Sequence, residues 1–123
     1  MEEMERMLKK IEGILAKNPH YKFEAYSFVM AGLHYTVSKL PKPRHVTGRE
    51  LCEGLKEYAL EQFGPMTRTV MEYWGIRATD DFGKIVFLLI EAQLLKKTEE
   101  DSIHDFEGIF DFNQAFRYEF KEE

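Results

Sequence analysis

The residues of this 123-residue chain best suited to metal binding, nucleophilic attack or proton transfer are four histidines, one cysteine and twenty-two acidic side chains. Their spacing decides what they can do. His20, His34, His45 and His104 stand alone, with no pair three or four residues apart to set two ligands on one helix face. Neither a metal site nor a cofactor is therefore expected. Cys52 falls at the start of a well-capped helix, where Arg49 and the helix N-terminus favour a thiolate but Glu50 and Glu53 oppose it. It reads as a small, partly buried packing residue. No G-x-S-x-G elbow and no glycine-rich phosphate loop occurs. The acids keep i,i+4 company with lysines and arginines, and Glu53–Glu57 and Glu57–Glu61 are like-charge pairs of the kind a solvated face carries. Catalysis has no candidate constellation, and the chain is expected not to be an enzyme.

Binding chemistry has more to work with. In "KLPKPRHVTGR", Lys39, Lys42, Arg44, His45 and Arg49 surround a helix start whose free amides favour anions. A phosphate or a nucleic-acid backbone could dock there, although Glu50 occupies part of the same site from within. A solvated proline-rich loop is the plainer alternative. A second place is "ATDDFGK", the start of a helix in the position of a DNA-reading helix. Base edges are read mostly by Arg, Lys, Asn and Gln, and here the places hold Thr79, Asp80, Asp81 and Lys84. Two aspartates facing a phosphate field argue against ordinary DNA reading.

Five helical segments must position these groups. Residues 2–18 repeat apolar side chains at three and four, and Asn18-Pro19 ends the run. A second stripe covers roughly 23–39, before the prolines of "LPKPRH". In "VTGRE", Thr47 and Glu50 form a capping box, with Val46 and Leu51 placed as a hydrophobic staple. Gly64-Pro65 separates that helix from a short one, with Met66, Val70 and Trp74 four apart, that stops at Gly75. Thr79 is expected to cap the fifth helix, whose apolar residues spread widely enough to make it central to the core. Beyond it, "IHDFEGIF" suggests a strand or hairpin arm, and "DFNQAF" a short helix capped by Asp111.

Composition sets the class. Hydrophobic residues at 44% and charged residues at 32% fit a globular domain. The longest apolar run, Ile85–Ile90, is far below the ~20 residues of a membrane span. The single cysteine and an N-terminus without a signal core suggest the cytoplasm. The net charge of −5 is uneven, because residues 97–123 hold nine acids against three bases. Such a chain is repelled by nucleic acid unless a local basic face prevails.

The order of elements in residues 47–112 resembles a winged helix, and "YWGIRATDDFGKIVFLLIEAQLL" resembles the passage from a capped helix into a β-wing. The stretch from "HVTGRELCEGLKEYALEQFGPM" to "LLKKTEEDS", with the preceding "YSFVMAGLHYT", resembles a small bacterial family of conserved hypothetical proteins. That resemblance implies no activity, cofactor or site residue. The expected fold is mainly α (α+β) and single-domain: an N-terminal helical pair over 1–40, a winged-helix-like unit over 47–112 with a short β element near the C-terminus, and an acidic aromatic tail over 113–123. The expected function is a non-catalytic protein–protein interaction module, with a homodimer through the first helix or the tail as one form. Phe116 and Phe120 are the rings expected to remain free for a partner. The alternative is a nucleic-acid-binding regulator that uses residues 39–49.

Overall fold

The computed structural model describes residues 2–97 and 101–116. It is mainly helical: α1 Glu2–Lys17, α2 Phe23–Ser38, α3 Gly48–Phe63, a 3-10 turn at Gly64–Met66, α4 Thr67–Tyr73, α5 Thr79–Glu91, a second 3-10 turn at Ile103–Phe106 and α6 Phe112–Ala115. Among the described residues no helix is long and apolar enough to cross a membrane.

The central contact is α2 against α3, and small residues set its closeness. A Cβ on Gly54 would lie 1.9 Å from Thr36 Oγ1, and one on Gly32 would lie 2.2 Å from Leu55 Cδ2. The Thr36 hydroxyl turns back into its own helix and donates to the Gly32 carbonyl at 2.7 Å, so no polar group is stranded at the crossing. The capping box of α3 forms as its residues dictate. The Glu50 amide donates to Thr47 Oγ1 at 3.1 Å, and the Thr47 amide donates to the Glu50 carboxylate at 2.9 Å. Val46 and Leu51 are both buried beside it.

Gly64 ends α3 at a φ of +51° and opens the 3-10 turn, with Pro65 as its second residue. The buried face of α4 is Thr67 and Met71, so its register differs from a Met66–Val70–Trp74 stripe; Met66 is exposed. Thr67 decides that register by donating to the Gly64 and Ala59 carbonyls, at 2.6 and 3.2 Å. Gly75 closes α4 at a φ of +91°, in a place where a Cβ would meet the His20 carbonyl oxygen at 2.6 Å. Phe28, Phe63 and Trp74 pack there with ring centroids 5.5–6.1 Å apart. The Lys22 amide donates to the Trp74 carbonyl at 3.2 Å and ties this corner to the α1–α2 turn.

α5 buries Phe82, Ile85, Val86 and Leu89 against the rest of the core. Two expectations about its surroundings are corrected. Thr79 is not the cap: Ala78 precedes the helix in extended conformation, and the Asp81 carboxylate accepts the Arg77 and Ala78 amides at 2.8 and 3.2 Å. Nor is there a β element: no strand forms among the described residues, and the expected β-wing over "IHDFEGIF" is instead a 3-10 turn followed by a loop. The winged-helix-like unit expected over 47–112 is therefore not supported, and what forms there is a run of helices, α3, α4 and α5, without a wing. Local chemistry explains the change. The Ser102 hydroxyl accepts from the His104 amide at 3.2 Å, and the Asp105 carboxylate accepts from the Ser102 amide at 3.0 Å, so the two side chains cap the turn. The backbone that a ladder would have satisfied is bonded by the first turn of α5. Thr79 donates to the Phe106 carbonyl at 2.6 Å and accepts from the Ile109 amide at 3.0 Å, while Asp80 accepts from the Gly108 amide at 3.2 Å. Phe106 seats against two glycines: a Cβ on Gly83 would lie 2.8 Å from its Cβ, and one on Gly48 would lie 3.1 Å from its Cε1.

Candidate interaction site on helix α5

Asp80 and Asp81 are occupied inside the fold. Asp80 holds the Gly108 amide, and Asp81 accepts from two amides and from the buried Tyr21 hydroxyl. Burial first, and the Asp81 carboxylate second, hold the Tyr21 phenol protonated well above its ordinary range. The end of α5 that would read bases is thus packed under the α1–α2 turn and the C-terminal segment.

The five basic residues singled out in the sequence lie near one another, yet three already have partners. Arg44 makes a two-pronged ion pair with Glu50, at 2.8 and 3.1 Å, and also donates to the His45 carbonyl. His45 Nε2 lies 2.9 Å from an Asp101 carboxylate oxygen. Lys39 sits over the Tyr35 ring, 5.0 Å from its centroid. Lys42 and Arg49 are exposed. The Arg44 fork first, and the Thr47 amide second, bring the Glu50 carboxyl down to about 2. The capping glutamate therefore carries a fixed negative charge inside the basic run.

The two rings proposed for docking fare differently. Phe116 is only 1% exposed and packs edge-on against Phe110 and Phe112, with centroids 5.7 and 4.8 Å away, so it is a core residue and not a free ring. Phe120 lies outside the described residues. Cys52 is fully buried, and burial, reinforced by Glu53 and Asp80, pushes its thiol up to about 12. That protonation state suits packing and not attack. Among the described residues no group of three or more potential ligands could hold a metal ion.

What the molecule leaves open lies on the outer side of α5. Phe87, Leu88 and Ile90 are half-buried: they pack against the core cluster and keep part of their surface open. Phe87 and Ile90 form the wall between two recesses. On one side is a cleft of about 250 Å³ lined by Leu33, Val37, Leu51 and Val86, with Arg44, His45, Lys96 and Asp101 around its mouth. On the other is an open groove of about 1080 Å³ between α5 and residues 17–21, with Leu88 and Ile103 adding apolar surface. Its charged lining is Lys17, Lys84, Lys97 and Glu91. Sequence reasoning missed this groove because its lining comes from three separated stretches. One signal did exist, since the apolar residues of α5 exceed what a single buried face needs. Comparison with protein-family models, curated proteins and solved structures finds no match to this chain.

Proposed function

We propose that this chain is a non-catalytic, cytoplasmic protein–protein interaction module that docks a partner along the outer side of α5. The observation that carries the reading is the double apolar character of that helix. Phe82, Ile85, Val86 and Leu89 face the core, while Phe87, Leu88 and Ile90 line the adjoining cleft and groove. A helix that supplies the core on one side and an apolar floor on the other gives a partner fixed, preorganised anchor sites. The internal use of Asp80 and Asp81, and the pairing of Arg44 with Glu50, support a protein partner over nucleic acid.

The test is quantitative capture from native lysate, with and without nuclease, using the wild-type chain and Leu88→Glu. Leu88 is half-buried and borders the groove, so the variant should retain the wild-type circular-dichroism spectrum. A protein that survives nuclease on the wild type and disappears on Leu88→Glu supports the reading. Salt-sensitive recovery of nucleic acid that is lost on reversing Lys42 and Arg44 would overturn it in favour of the basic segment. So would turnover of a small molecule abolished by one surface substitution.

A further inference from the structure

We infer that the partner segment is an acidic amphipathic helix, bound in the groove between α5 and residues 17–21 with its carboxylates on Lys17, Lys84 and Lys97. This rests on the reading of α5 as a docking helix and adds the chemistry of what docks. Two observations carry it. The first is charge: in a chain of net charge −5, the groove gathers three lysines against one acid, Glu91, among the described residues. All three lysines are exposed, and none forms an ion pair among the described residues. Lys17 ends α1, where the helix dipole favours a cation without neutralising it. The second is the floor. Phe87, Leu88, Ile90 and Ile103 form its apolar part, and the 37% exposure of Ile103 leaves a large aliphatic side chain open to solvent.

An apolar floor rimmed by exposed lysines complements a helix with apolar anchors at i, i+3, i+4 and i+7 and acids beside them. The same chemistry discriminates between partners. A basic or neutral amphipathic helix would bury the same apolar area but place its flanks against like or unanswered charge. A nucleic acid would satisfy the lysines and leave the apolar floor wet.

The experiment selects from a displayed peptide library with leucines fixed at that spacing and flanks randomised equally among Asp, Glu, Lys and Ser, using the full chain as bait. The winners are then titrated against wild type, Lys84→Glu/Lys97→Glu and Leu88→Glu. The expected result is a marked excess of Asp and Glu in the selected flanks. The lysine double variant should raise Kd at least tenfold, and raising ionic strength from about 0.05 to about 0.5 M should weaken the wild-type complex. Because both lysines are exposed, the double variant should keep its melting curve, which separates lost binding from lost folding. Neutral or Lys-rich winners, or winners that bind the double variant equally well, overturn the acidic assignment. If Leu88→Glu still abolishes binding in that case, docking on α5 survives. Selection that yields no binder overturns the inference and leaves the lysate test of α5 to stand alone. Binding to vesicles of phosphatidylserine and phosphatidylcholine in place of peptides would overturn it in favour of a lipid surface.

Discussion

Two tyrosines that look alike in sequence are opposites in the fold. The Tyr21 hydroxyl donates to Asp81, whereas the fully buried Tyr26 hydroxyl has no hydrogen-bond partner among the described residues. Removing one partner of a buried bond to a charged group costs about 1.5–3 kcal/mol, while removing an unsatisfied group is nearly neutral or favourable. Tyr21→Phe should therefore destabilise the chain by roughly that amount, and Tyr26→Phe should leave urea-denaturation stability within about 0.5 kcal/mol of wild type or raise it. Glu50 gives a pH signature. Its carboxyl sits at about 2, below the ordinary 4.5, because Arg44 and the Thr47 amide hold its charged form. A depressed carboxyl contributes stability above its unfolded value, and that contribution fades as pH falls from about 4.5 through about 2. Wild type should accordingly lose more stability over that window than Glu50→Gln does, as read by thermal melts at fixed salt.

Helices show where sequence is sufficient and where it is not. The capping box of α3 was legible because Thr47 and Glu50 answer each other within one turn. The role of Thr79 was not, because its partners Phe106 and Ile109 lie 27 and 30 residues away. A threonine before an acidic turn looks like a cap until the distant backbone it holds is in place. The same long-range bonds hold the backbone that the expected strand would have paired, and the Ser102–Asp105 cap that forms in its place joins residues within one turn. The candidate site was legible in part. The basic run is visible in the sequence as a cluster, but which of its charges have partners depends on Tyr35 and Asp101 as much as on Glu50. The α2–α3 crossing allows a direct test. Alanine at position 54 should improve helix propensity by up to about 1 kcal/mol, yet its Cβ would stand 1.9 Å from Thr36 Oγ1. Overpacking costs typically about 1–3 kcal/mol, so Gly54→Ala should be destabilising on balance. In a Thr36→Gly background the penalty should shrink or reverse, and a double-mutant cycle by chemical denaturation measures the coupling.

At the scale of the whole molecule, one buried group reports on the fold's integrity. Cys52 is fully enclosed, and its thiol is pushed up to about 12. It should be inert to a thiol-specific reagent at neutral pH, and modification should follow the rate at which the core opens. Rapid labelling of the native chain would show that α3 exposes its inner face without unfolding. The Phe106 contact reaches further still. Residues 105 and 106 rest against Gly48, at the start of α3, and Gly83, within α5: a Cβ on Gly48 would lie 2.8 Å from Asp105 Cβ and 3.1 Å from the Phe106 ring, and one on Gly83 would lie 2.8 Å from Phe106 Cβ. Heredity must therefore treat the two glycines and the 105–106 backbone as a single unit. A lineage that enlarges either glycine has to shift that backbone as well, because the nearest atoms are the Cβ atoms of Asp105 and Phe106, which a smaller side chain would keep.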